Sequence, residues 1–215
     1  MKLLTFWYDV VSPYAYLAFE RLPQALDGIS YEVEYRPVLF AGLLGHWGHK
    51  GPAEIDPKRA WIFRQCHWLA ARHGIVLDTP AVHPFNPLPL LRLALAAGSN
   101  RRVTEAVMRH TWQGGADAVD PVRLSLLQAK LRSDGVATLE PGSDEVKRAL
   151  RRHGEEAVSR GVFGVPSIEV DGRLFWGLDA LEMLAASLRG DPWFDGPSWA
   201  REGLRRPGVH RRLDG

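Results

Sequence analysis

Ser12, followed at once by Pro13, is the residue best placed in this chain to do chemistry. An apolar run with β-forming side chains, Phe6-Trp7-Tyr8-Asp9-Val10-Val11, breaks at Ser12-Pro13 and continues as Tyr14-Ala15-Tyr16-Leu17-Ala18 in helical periodicity. Ser accepts a bond from a free backbone N–H and Pro suits the first helical turn, so the pair predicts a helix start. A strand that feeds straight into a helix N-terminus gathers unpaired N–H groups at a sheet edge, and these form a ready-made anion site. Two readings of Ser12 stand at this point: partner of a reactive anion, or plain N-cap. Replacement by Ala separates them. Loss of turnover with retained folding marks chemistry, and a loss of about 1 kcal/mol of stability alone marks a cap.

The other chemistry-bearing residues are sparse. Cys66 is the single cysteine, which excludes an intramolecular disulfide, a Cys-x-x-Cys redox pair and a four-thiolate zinc site. Any thiol chemistry must use Cys66 or a thiol brought from outside. Cys66 also falls on a stripe with Ile62, Leu69 and His73 at helical spacing, the pattern of a core residue. His46 and His49 flank Trp47, but no third ligand stands at informative spacing, so no metal is predicted. Trp47, Trp61, Trp68 and Trp112 read as core residues, with one or two available to line an apolar, aromatic-substrate cleft. The arginines at 201, 205, 206, 211 and 212 read as a solvated tail, with phosphate binding the lesser alternative.

The elements that must position Ser12 follow from periodicity. Residues 3–8 form a continuous apolar run, as expected of a central strand buried on both faces. A helix from Pro13 to about residue 26 ends at Asp27-Gly28, and an alternating strand spans residues 31–38. This βαβ opening favours a parallel pair. Residues 42–56 are glycine-rich and read as a loop. Helices follow over residues 57–73, from Asn86-Pro87 to near Gly98, over about 101–113, from Asp120-Pro121 to Asp134-Gly135, and from Ser143 to about residue 160. Two short strands, residues 167–170 and 173–176, flank Asp171-Gly172, a strong hairpin signal. A last helix over residues 179–188 opens with Asp179-x-x-Glu182, which resembles a capping box. Beyond Gly190 the tail is predicted to pack loosely or wrap the surface.

At 215 residues, 46% apolar and 24% charged, the chain is an ordinary globular protein. The net charge of +2 is too small to argue for nucleic acid or membrane as a partner. No apolar run approaches the roughly 20 residues of a spanning helix. The start lacks the long apolar region of a signal peptide, and a cytoplasmic protein is expected. The fold class is α/β. A βαβ…ββα frame is the thioredoxin layout, and a helical insertion at its middle is the pattern of its DsbA-like branch. The expected division is a thioredoxin-like domain over 1–40 and 161–190, a helical insertion over 41–160, and a tail over 191–215.

Several motifs, in order along residues 3 to about 188, carry a family resemblance. Tyr8-Asp9-Val10-Val11-Ser12-Pro13-Tyr14-Ala15-Tyr16-Leu17 resembles the active-site segment of 2-hydroxychromene-2-carboxylate isomerases and kappa-class glutathione transferases. Gly161-Val162-Phe163-Gly164-Val165-Pro166-Ser167 resembles their Gly-Val-x-Gly-Val-Pro loop, which carries a cis-proline, and Phe175-Trp176-Gly177-Leu178-Asp179 resembles their Phe-Trp-Gly-x-Asp turn. Arg36-Pro37-Val38-Leu39 and Gly51-Pro52-Ala53-Glu54 add weaker matches.

The resemblance implies a glutathione-dependent enzyme. Where DsbA-like oxidoreductases carry Cys-x-x-Cys, this chain reads Ser12-Pro13-Tyr14-Ala15, and a hydroxyl cannot form a mixed disulfide. Ser12 would instead donate a hydrogen bond to the sulfur of bound glutathione, with the helix end lowering its pKa. By the same resemblance, Val165 before cis-Pro166 pairs with the cysteinyl backbone, Asp179 meets the γ-glutamyl amine, and Lys58 and His49 contact glutathione. His49 falls where relatives usually carry Asn, and Leu178 and Ala180 fall where they often carry polar or basic side chains. The implied reaction is isomerisation of 2-hydroxychromene-2-carboxylate, or a related aromatic-derived unsaturated keto acid, in aromatic compound catabolism. The alternatives are glutathione conjugation to electrophiles and a redox-dead thioredoxin-like binding module. The resemblance also implies a homodimer.

Overall fold

The structure is a computed structural model that describes residues 1–135 and 139–202, excluding the side chains of residues 201 and 202. The chain opens with β1 (Lys2–Tyr8), α1 (Pro13–Ala25) and β2 (Tyr31–Pro37). A helical middle follows: α2 (Phe40–Trp47), α3 (Asp56–His73), α4 (Leu88–Ala96), α5 (Arg101–Trp112), α6 (Pro121–Ser133) and α7 (Asp144–Ser159). The hairpin β3 (Ser167–Val170) and β4 (Arg173–Trp176), then α8 (Leu181–Leu188) and α9 (Pro197–Glu202), complete it. The fold is therefore α/β: a thioredoxin-like frame carrying a helical insertion.

The sheet runs in the order β2-β1-β3-β4. β1 and β2 are parallel, as the crossover helix requires, and β3 runs antiparallel to β1. The β1–β3 register sets Trp7 against Ser167. Both chains then leave the ladder on the same edge, so the turn after β1 and the loop before β3 become neighbours.

β1 is buried on both faces over its second half. Leu4, Phe6 and Tyr8 enter the main core with α1, α4 and α5, while Trp7 joins Val38, Leu43, Ala157, Val162 and Val165 on the other face. Full burial of a side chain such as Phe6 contributes about 1.5–3 kcal/mol. The main core is continuous from Phe6 and Phe19 of the frame to Leu90, Val107 and Trp112 of the insertion.

Four local expectations are corrected. Residues 42–56 are not a loop throughout: α2 occupies Phe40–Trp47 despite Gly42 and Gly45, and a single 3₁₀ turn covers Pro52–Glu54. Its N-cap, Leu39, makes no side-chain cap bond, and the stabilising group comes from far away in sequence: the Asp9 carboxylate accepts the Phe40 N–H at 2.8 Å. Asp179 does not cap α8, whose N-cap is Ala180 without a side-chain bond. Of the four tryptophans expected in the core, Trp112 alone is buried, whereas Trp47, Trp61 and Trp68 are 44%, 62% and 59% exposed. α3 buries only Cys66 and Ala70, so its tryptophans face outward, and the Arg72 guanidinium lies over Trp68. The start of the tail docks: Phe194 is buried, and with Trp199 it packs on Phe175. The tail arginines from 205 on lie outside the described residues, as does the Arg201 side chain.

Candidate active site at the β1–α1 turn

Ser12 sits where β1 gives way to α1, 7% exposed. Its backbone is extended, with φ −91° and ψ 115°, and its Oγ accepts the Ala15 N–H at 3.2 Å. The cap reading of Ser12 is therefore satisfied. The hydroxyl proton remains, and it points across the sheet edge to the Val165 carbonyl oxygen at 3.4 Å. This bond is long for a hydroxyl donor and easily surrendered. The cap uses a lone pair and any new acceptor would use the proton, so the two roles do not compete.

The turn itself is fixed from several sides. The Ser12 N–H donates to the Asp9 carbonyl at 3.1 Å. The Asp9 carboxylate, fully buried, accepts the Val11 N–H at 3.0 Å and the Phe40 N–H at 2.8 Å. Burial raises this carboxyl to about 7, against the lowering pull of the two N–H bonds. The Val10 carbonyl accepts the Trp112 indole N–H at 2.8 Å, and the Val11 carbonyl lies 2.8 Å from His83 Nε2. A carbonyl only accepts, so His83 must carry its proton on Nε2 and leave Nδ1 as a bare acceptor. That Nδ1 is buried with no hydrogen-bond partner among the described residues. Burial chiefly, with Arg59 adding, holds His83 below the usual imidazole range, so it stays neutral. The clamps made by Phe40, His83 and Trp112 come from the helical middle and close on the Ser12 turn.

Across from Ser12, the Val165–Pro166 peptide is cis, as expected from the loop's resemblance. The Pro166 carbonyl accepts the Gly177 N–H at 2.9 Å, which ties the loop to the turn after β4. Gly164 permits a close approach there: a Cβ at this position would lie 2.5 Å from the Trp176 indole nitrogen, so the ring would have to move. Gly177 has φ +99°, and a Cβ would meet Asp179 Oδ1 at 2.4 Å. Asp179 thus folds back along its own turn instead of capping α8.

A cleft of about 510 Å³ opens between α1, α3 and the β4–α8 turn. Val165, Pro166, Leu178 and Asp179 line it, as do Tyr14, Gln65, Trp176 and Glu182. Four of the expected ligand-binding residues are therefore brought together, with Ser12 directly behind Val165. His49 and Lys58 are exposed and do not line this cleft. His46 stacks edge-on against Trp47 at 4.9 Å. Across the cleft floor the Tyr14 hydroxyl donates to Gln65 Oε1 at 2.6 Å, and burial foremost raises the phenol above its ordinary pKa.

Cys66 is fully buried, and burial pushes its thiol up to about 12. It is a core residue and no nucleophile. Asp9, His83, Arg21 and the Trp112 indole are site-forming residues that spacing alone did not single out. Asp9 carried one usable signal: a lone carboxylate inside an apolar run that must be buried.

A family model described as the DSBA-like thioredoxin domain matches residues 3–189. The chain is 28% identical over 195 residues to a 2-hydroxychromene-2-carboxylate isomerase of Sphingobium xenophagum, covering 87% of this chain and 98% of that one. It is 26% identical over 215 residues to the glutathione S-transferase kappa 1 of Rattus norvegicus, covering 89% and 92%. A solved selenomethionine structure of a 2-hydroxychromene-2-carboxylate isomerase superposes with a TM-score of 0.77 at 21% identity, over 90% of this chain and 97% of that one. At that identity the superposition establishes the fold alone.

Proposed function

Because the chain belongs to the DSBA-like thioredoxin family, and its turn holds a serine and no accessible thiol, we propose that it is a glutathione-dependent cis–trans isomerase. Its substrate would be 2-hydroxychromene-2-carboxylate or a related aromatic-derived unsaturated keto acid. The observation that carries this reading is the Ser12 hydroxyl: already capping α1 through its lone pair, it holds its proton in a long bond to Val165, at the edge of a cleft. With Cys66 buried and protonated, the sulfur must come with a ligand.

Glutathione fits the donors present. Its thiol matches the Ser12 proton and the positive end of α1, its cysteinyl N–H the Val165 carbonyl, and its α-ammonium the Asp179 and Glu182 carboxylates of the cleft. When bound, it would supply the nucleophilic sulfur that adds reversibly to a conjugated carbon, so that a double bond becomes single and can rotate. The chain's own residues would then do three things. Ser12 Oγ–H and the N-terminal N–H groups of α1 hold the sulfur as thiolate. The Val165 carbonyl fixes the peptide that bears it. Lys58, exposed and without a carboxylate partner among the described residues, would be the cation left for a substrate carboxylate, although it does not line the cleft.

A second reading, transfer of glutathione to an electrophile, is favoured by the similarity to the kappa 1 transferase. It uses the same thiolate without its return. The test is product analysis over a panel of chromene carboxylates with glutathione well below substrate. Isomerisation gives full interconversion with glutathione conserved. Stoichiometric consumption identifies the transferase instead, and no turnover of either kind sinks both.

A further inference from the structure

The cleft beside Ser12 is divided by charge. Asp179 and Glu182 stand on the β4–α8 turn and the first turn of α8, both exposed. On the opposing helices stand Arg21 of α1 and His73 of α3. Among the described residues, Arg21 is the one lysine or arginine lining this cleft. The turn before α8 presents Leu178 and Ala180, whose side chains offer an anion neither a charge nor a hydrogen-bond donor.

Arg21 is also without an anion of its own. It is half-buried and has no carboxylate within 4.0 Å among the described residues, whereas Arg36, Arg59, Arg109, Arg160 and Arg173 all have one. Among the described residues its hydrogen-bonding partner is the His73 ring, whose Nδ1 and Nε2 both face Nη1, Nε2 at 3.0 Å. Burial first, then Arg21 and Arg72, hold His73 below its usual range, so it accepts from Arg21 as a neutral base and fixes the guanidinium without neutralising it. A half-buried, positioned and uncompensated guanidinium facing a cleft is an anion receptor.

We propose that Arg21, held by His73, receives the α-carboxylate of an amino-acid-type head group whose α-ammonium is taken by Asp179 and Glu182, so that the cleft selects a γ-glutamyl ligand. The assignment rests on the glutathione reading above and adds to it the group that recognises the head. The dimensions agree. Arg21 lies nine residues beyond Ser12, about 13 Å along α1, and Cα–Cβ bonds tilt toward the helix N-terminus, so its long side chain leans back toward the sulfur position. The cation that the α8 turn lacks is thereby supplied from α1.

Trp176 lines the cleft and serves as a fluorescence reporter. Glutathione is titrated against 4-aminobutanoyl-cysteinyl-glycine, which lacks only the α-carboxylate, on the wild-type chain, Arg21→Gln and Arg21→Lys. The wild type is expected to prefer glutathione by about tenfold or more, the worth of one charge-assisted pair. Arg21→Gln is expected to bind the two equally and Arg21→Lys to keep part of the preference. Glutathione binding without discrimination by the wild type overturns this assignment while leaving the glutathione reading intact, and needs no variant. Discrimination retained in a folded Arg21→Gln overturns it as well. Absence of any glutathione binding overturns both.

Discussion

The Asp9 carboxylate accepts the Phe40 N–H at 2.8 Å, so one buried anion serves both the turn that bears Ser12 and the first helix of the insertion. Its other oxygen accepts the Val11 N–H. The frame and the insertion are thus joined at the site by a doubly hydrogen-bonded carboxyl as well as by a continuous apolar core. A helix with no local side-chain cap and two interior glycines forms because a carboxylate 31 residues earlier sits at its positive end.

This carboxyl should leave a mark on stability. Burial raises its pKa to about 7 in the folded chain, from 3.8 for the free side chain. A raised folded pKa means that the unfolded chain loses the proton first. The contribution is therefore full below about pH 4 and is lost as pH rises toward 7, at about 1.4 kcal/mol per pH unit from this group. Urea titrations across that range should show this component, and Asp9→Asn should remove it. The Asn amide can accept from only one of the two N–H groups, so Asp9→Asn should also lose about 1–3 kcal/mol. An unchanged pH slope in the variant would show that Asp9 is not the titrating group.

Ser12→Ala removes both uses of the hydroxyl. Loss of the cap should lower stability by about 1 kcal/mol. Loss of a hydrogen bond to a charged sulfur, about 1.5–3 kcal/mol, should lower turnover roughly 10–100-fold. Ser12→Cys makes the converse test: a thiol at the N-terminus of α1 should have a depressed pKa and take up one glutathionyl group from glutathione disulfide, seen by intact mass, while the wild type does not. A Ser12→Ala variant with full turnover would reduce Ser12 to a cap.

Cys66 should behave as a hydrophobe. With its thiol held up to about 12, it should stay unreactive to a disulfide reagent at pH 8 in the native chain and react at once in denaturant. Cys66→Ala should keep turnover while losing some stability to the small cavity it leaves. Rapid native labelling would contradict the burial and reopen the question of where the reactive sulfur comes from.

The sequence is most legible where the stabilising group is local. Ser12, Asn100, Asp120 and Ser143 each accept a backbone N–H three residues on, and the helices they start are readable from those residues. The hairpin at Asp171-Gly172 and the βαβ opening are equally local. Reading fails where the partner is remote. α2 depends on Asp9, and Asp179 is diverted from its capping spacing by the fold-back over Gly177. The outward Trp61 and Trp68 of α3 lie off the Ile62-Cys66-Leu69 stripe that meets the core, so helical periodicity indicates the buried face and residue type alone misplaces these tryptophans. The site follows the same division. Ser12, Val165, Pro166 and Asp179 were visible as motif, whereas Arg21 and His83 enter it from helix faces and loops with no motif at all.

His83 provides the last test, because its role is purely to hold. Its Nε2–H secures the Val11 carbonyl, one residue before Ser12, while its ring packs edge-on against Phe63 and beside Trp112. His83→Phe keeps an aromatic ring but leaves that carbonyl unpaired, which should lower stability by about 1–3 kcal/mol. The pH dependence runs opposite to that of Asp9. Burial depresses the folded pKa of His83, so its contribution is present above the unfolded value of about 6.5 and lost as pH falls through the lower folded value. The stability gap between wild type and His83→Phe should therefore narrow in acid. A gap of constant size from pH 8 down to pH 5 would mean that the neutral imidazole is not what holds the turn.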